Sequence, residues 1–115
     1  MKQDAARLFR AAAESTTNFD ALVAAGLGLA DCEDYAGAAR VLERARALRP
    51  DSASVTYNLA LAQYKIGDLA AALKTLDSLS ATEPDMVYLR GKILDGLSKS
   101  ESAGEFAALP CSTGQ

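Results

Sequence analysis

An all-α fold of antiparallel helical hairpins, stacked side by side, is predicted by three observations. Pro50 and Pro84 lie 34 residues apart, and the stretches they close carry one pattern of small and large apolar residues. Apolar positions recur at helical spacing with no sustained period-2 alternation, and alanine, a strong helix former, dominates. Acids, glycine and proline punctuate the pattern where helices would start and stop. Repetition at this period marks a helix-turn-helix unit that cannot bury its apolar faces alone. Function then belongs to a stacked surface rather than to an enclosed pocket.

The elements follow in order. Before Phe19 the chain reads Ala5-x3-Phe9-x2-Ala12, the spacing of a hairpin's second helix without its first. Residues 1–17 are expected as a half repeat or capping helix, and Asn18 can cap the helix that follows. Residues 19–52 form the first repeat, with Leu22-x2-Ala25-Gly26-x2-Leu29 and then Ala38-x3-Leu42-x2-Ala45. Residues 53–84 form the second, with Thr56-x2-Leu59-Ala60-x2-Gln63 and then Ala72-x3-Leu76-x2-Leu79. Small residues at Gly26, Ala60, Ala38 and Ala72 let paired axes approach to roughly 8–10 Å. Leu29, Leu42, Leu59 and Leu76 fill the space between helices. Asp34 and Asp68 stand at matching places before the second helices, as carboxylate caps, beside turns that hold Cys32, Glu33 and Gly67. Pro50 and Pro84 are expected to end the second helices, with Asp51 or Ser52 capping the next one.

After Pro84, Met86 to Leu94 lie on Val55 to Gln63 without a gap, at an offset of 31, so that Tyr88 matches Tyr57 and Gly91 matches Ala60. Residues 85–110 are read as a degenerate third repeat. The same register sets Ala103 and Ala107 where Ala72 and Leu76 stand, but Gly104 and Pro110 leave Glu101–Leu109 only a short, weak last helix. Residues 111–115 are expected as a frayed tail. The whole is one domain over residues 1–110 with six to seven helices.

These residues resemble the tetratricopeptide repeat, whose pattern is a large residue, Leu-Gly, Tyr, then Ala, an aromatic, Ala and a closing Pro. Leu22 and Thr56 replace the aromatic opener, Ala60 the glycine and Gln63 the tyrosine. The resemblance implies a short right-handed α-solenoid whose first helices line a concave face that binds peptides or partner helices. Relatives that clamp chaperone tails carry Lys and Asn where this chain has Val23 and Leu27, so that ligand is not expected; Asn58 alone fits.

Composition narrows the function classes. With 115 residues, 50% of them hydrophobic, the chain suffices for one modest core. A net charge of −3 with interspersed signs gives no basic face for nucleic acid. Arg40, Arg44 and Arg49 share one helix and could display a small basic strip, although a solvated face is the plainer reading. No run of 18 apolar residues suggests membrane insertion, and Met1-Lys2-Gln3-Asp4 lacks a signal-peptide core, which weakly favours the cytoplasm. The absence of histidine removes the commonest general base and transition-metal ligand. Cys32 and Cys111 stand apart and form no disulfide framework or zinc set. Asp31, Glu33 and Asp34 straddle a helical turn rather than a calcium loop. Gly26-Leu27-Gly28 lies inside a helical pattern with no strand before it, so close packing accounts for it better than a phosphate loop. No enzyme activity, cofactor or metal is expected.

The candidate protein-binding groove is the free face of the first helices, read at helical spacing: Val23, Leu27, Tyr57, Leu61, Tyr64, Lys65, Tyr88 and Lys92. Tyrosine gives a large rigid apolar face and a hydroxyl at low entropy cost, though at this spacing it equally serves the core. Alanine at Tyr57, Tyr64 and Tyr88 together is expected to abolish partner capture. The function read from the chain is a non-catalytic module for a peptide or partner helix, with a monomer favoured. The alternatives are a self-associating homo-oligomeric assembly subunit and a small secretion-type chaperone for a helical client.

Overall fold

The computed structural model describes residues 2–79 and 83–108, which contain six helices and no strand. They are α1 (Lys2–Glu14), α2 (Phe19–Asp31), α3 (Tyr35–Leu48), α4 (Ala53–Ile66), α5 (Leu69–Asp77) and α6 (Pro84–Ala108). Each helix packs on the next, and α4 also touches both α2 and α6. First helices therefore stand in one row and second helices in another. The Cα radius of gyration is 16.9 Å, against about 13 Å for a compact domain of this length.

The turns show why the chain folds this way. Asn18, Asp34, Ser52 and Asp68 each cap a helix, accepting from the backbone N–H of Ala21 (2.9 Å), Gly37 (3.1 Å), Val55 (3.4 Å) and Ala71 (3.3 Å). The period extends to backbone conformation. Glu33 and Gly67, again 34 residues apart, both adopt positive φ, 65° and 98°. A left-handed residue followed by a capping Asp thus reverses the chain between the helices of each complete repeat.

Two cores result. Leu22, Leu29, Leu42, Leu59 and Val55 belong to the first, and Ala60, Ala72, Leu76, Met86, Leu89 and Ile93 to the second. The small residues act as the repeat chemistry requires. A Cβ added at Gly26 would lie 2.8 Å from Leu42 of α3, and one at Gly28 would lie 2.4 Å from the Phe9 ring of α1. Gly26-Leu27-Gly28 is a packing seam within α2.

Two of the motif departures are visible as chemistry. Gln63 accepts a buried hydrogen bond from the Thr75 hydroxyl at 2.7 Å, joining α4 to α5 where an aromatic would otherwise pack. Thr56 is completely buried, and its hydroxyl finds no partner among the described residues. Such a group is destabilising by about 1–3 kcal/mol. Thr56→Val, which keeps the shape, is expected to raise stability by about 1 kcal/mol. A urea midpoint that stays put or falls would contradict this.

Four expectations need correction. The buried stripe of α1 is Ala6 and Ala13 with Phe9 between them, not Ala5 and Ala12, because Phe9 has to reach Gly28. Pro84 does not end a second helix. Helix α5 stops at Asp77, leaving Leu79 beyond it, and Pro84 opens α6 directly after Glu83, whose carbonyl accepts the first N–H groups. Proline suits this place because an N–H there would have no acceptor within the helix. The separate last helix over Glu101–Leu109 is not formed; α6 runs unbroken to Ala108. At the 31-residue offset Ser98 and Lys99 occupy the places of Gly67 and Asp68, so both the left-handed residue and the cap are missing and the helix continues. Leu109, Pro110 and the tail with Cys111 lie outside the described residues. Finally, Arg40, Arg44 and Arg49 do not form one strip on one helix: Arg40 is exposed on α3, Arg49 lies just beyond its end, and Arg44 is turned to an internal contact. Arg44 donates to the carbonyls of Ala13 (2.8 Å) and Thr16 (2.9 Å) at the end of α1, Arg46 to the Ser78 hydroxyl, and Arg49 stacks 4.3 Å from the Phe19 ring centroid.

Candidate functional site

Helices α2, α4 and α6 carry the candidate residues, and contacts of α4 with both neighbours bring the three into one row. On α2, Val23 is half-buried against the first core, while Leu27 keeps 37% of its surface exposed. On α4, Tyr57, Leu61 and Tyr64 form one half-buried stripe against the second core, with Lys65 exposed beside it. On α6, Tyr88 is 68% exposed and the Lys92 ammonium lies 5.7 Å from its ring centroid, one helical turn along. This cation–ring pairing sets a positive charge over one face of the exposed ring.

The structure therefore divides the three tyrosines. Tyr57 and Tyr64 are half-buried and pack on the second core, whereas Tyr88 is exposed and its described ring contact is with Lys92. Asn58 is turned to its own helix, its amide donating to the Ser54 carbonyl at 2.8 Å. Asp95, also on this side of α6, pairs with Lys99 at 3.1 Å.

No group of three metal-ligating side chains exists among the described residues. Asp34 accepts from Gly37 and pairs with Arg10 at 2.6 Å, so the acidic turn is a helix cap tied back to α1. Arg90 pairs with Asp77 between α6 and α5. No described helix is long and apolar enough to cross a membrane. What the sequence reading missed is the adjacent side of α6, about 100° round the helix, where Val87 (56%) and Leu94 (48%) are exposed and Gly91 has open space around it among the described residues. The readable signal for it was the pair Ser98-Lys99 in place of Gly-Asp.

A tetratricopeptide repeat family model matches residues 29–93, which covers α3, α4 and α5 entire and the facing turns of α2 and α6. No curated protein and no solved structure matches the chain. Such repeats generally mediate protein–protein interaction and are typically non-catalytic. The match spans more than half of the chain, and its helical hairpins carry the repeat's punctuation at every complete turn: the chain belongs to the tetratricopeptide repeat family.

Proposed function

We propose that this protein is a non-catalytic binding module that takes an extended segment or amphipathic helix of another protein across α2, α4 and α6. The observation that carries the reading is the distribution of exposure along that row. A large apolar side chain is held out at each end, Leu27 and Tyr88, with the half-buried Tyr57, Leu61 and Tyr64 as a floor between them. A bound helix offers apolar residues at intervals of three and four, which suits anchors spread over adjacent parallel helices. Lys65 and Lys92 add positive charge on the same side and favour a ligand with an acidic flank.

The test is capture of partners from the native host, identified by mass spectrometry, with variants as controls. Because Tyr57 and Tyr64 also pack on the core, their replacement confounds binding with stability. The cleaner variant is Leu27→Ala with Tyr88→Ala and Lys92→Ala, all at exposed positions. It is expected to keep the wild-type helical spectrum and to weaken the captured partner at least tenfold, about 1.4 kcal/mol. Unchanged affinity in that variant contradicts the proposed face.

A further inference from the structure

Two cavities that share a wall open along α3, away from the residues of the candidate groove. The first, about 150 Å³, lies between α1 and α3 over the buried Ala13, Gly37 and Val41, and Arg10, Arg40 and Arg44 surround it with Glu14. Each arginine stands differently. Arg10 pairs with Asp34 at 2.6 Å, and Asp34 is itself anchored by the Gly37 N–H. Glycine at 37 leaves room for that carboxylate, since a Cβ there would lie 2.5 Å from its Oδ2. Arg44 is held by the carbonyls of Ala13 and Thr16, which are neutral acceptors and leave its charge uncompensated. Arg40 is exposed and forms no hydrogen bond or ion pair with the described residues. Glu14 is the one carboxylate on the lining and pairs with none of the three. With Asp34 counted, three cations meet two carboxylates, which makes a positive spot on a chain of net charge −3.

The second cavity, about 240 Å³, begins at Arg44, which lines both. It is largely apolar, formed by Leu22, Ala47 and Leu48 with Thr17, and Leu48 is 51% exposed. Val41 in the first cavity and Leu48 in the second are two turns apart on α3, about 10 Å. An extended chain covers that span in about three residues.

The geometry points to a second binding site, along α3, that receives an acidic side chain of a partner segment between Arg40 and Arg44 and a leucine-sized side chain, about three residues along, beside Leu48. Charge complementarity selects the acid. A guanidinium has five N–H donors, of which Arg44 spends two on the carbonyls, so donors remain on both Arg40 and Arg44 for a carboxylate. Arg10 and Arg44 are held in place by other groups before any ligand arrives, which lowers the ordering cost of binding. The site shares no residue with the row of candidate residues on α2, α4 and α6, and it stands or falls independently of the function proposed for that row.

The probes are short capped peptides of alanine and serine that carry one glutamate and one leucine three positions apart, made in both orders, with glutamine-for-glutamate controls. They are titrated into the isotope-labelled full chain, following arginine side-chain N–H and backbone amide resonances. In one order at least, the signals of Arg40, Arg44, Val41 and Leu48 are expected to move together, and its glutamine control to bind about tenfold more weakly. Arg40→Gln, at an exposed position, is expected to bring the same loss with unchanged circular dichroism, and Arg40→Lys, which keeps the charge, to recover part of it. Silence of these signals with both orders overturns the proposal, as does equal binding of the glutamate and glutamine peptides or wild-type binding by Arg40→Gln. Signals that move with protein concentration alone would assign the site to a second copy, and inorganic phosphate that binds as tightly as the peptide would assign it to a bare anion. Either result also overturns it.

Discussion

Replacing Leu76 by Asp is expected to abolish the cooperative melting transition. Leu76 is 1% exposed and sits in the second core with Ala60, Ala72, Met86, Leu89 and Ile93, where α4, α5 and α6 meet. Loss of its side chain alone is worth about 2–5 kcal/mol. The substituted carboxylate would also be enclosed by these apolar residues with no cationic partner, adding several kcal/mol. A domain of this size has on the order of 5–15 kcal/mol to lose. In a stack where each helix leans on the next, removing the α5 junction also frees α6, whose main support is α5. Far-UV circular dichroism with thermal melting checks this, and a wild-type transition in the variant would contradict the packing described above.

Gly26→Val is expected to destabilise the protein by about 2–3 kcal/mol, a figure at the upper end for overpacked cores. The obstacle is local and cannot be relieved cheaply. The new Cβ would overlap both Cγ and Cδ2 of Leu42, which is itself 1% exposed and enclosed by the first core, so the side chain has no empty space to swing into. Helices α2 and α3 would have to separate. Any valine gain in helix propensity over glycine, at most a few tenths of a kcal/mol, does not offset this. Chemical denaturation gives the measurement; a midpoint within error of wild type would mean that α2 and α3 do not approach at Gly26.

Much of the fold was legible because repetition makes each local signal speak twice. Asp34 and Asp68, or Gly26 and Ala60, are weak clues singly, and their common spacing turned them into helix caps and close contacts. Where the period weakened, reading failed for physical reasons. The α1 stripe slipped by one residue because two alanine stripes, one with Ala5 and Ala12 and the other with Ala6 and Ala13, lie side by side. Only the tertiary contact of Phe9 with Gly28 chooses between them. Pro84 aligns with Pro50 and so suggests a stop, although proline is equally suited to a helix start. The apolar register of Ala103 and Ala107 suggests a final turn, but apolar register does not reverse a chain; a left-handed residue and a cap do, and Ser98-Lys99 supplies neither.

The candidate face was legible as a list of residues and not as a gradient of exposure. Spacing places Tyr57, Tyr64 and Tyr88 alike, whereas their surroundings differ. The tyrosines of α4 are half-buried against the core that α4, α5 and α6 build, whereas Tyr88 of α6, with no first helix beyond it among the described residues, is open. Position in the stack, which no local window of sequence contains, decides which tyrosine is exposed.

The central claim is that a partner segment binds along the row of first helices. Titrating a captured partner segment into isotope-labelled protein, and following backbone amide and aromatic resonances, tests it most directly. Perturbations are expected to trace one path through Leu27, Tyr57, Leu61, Tyr64, Tyr88 and Lys92, leaving the outer turns of α3 and α5 unchanged. Perturbations concentrated on α3 and α5, with the first-helix row silent, would contradict it.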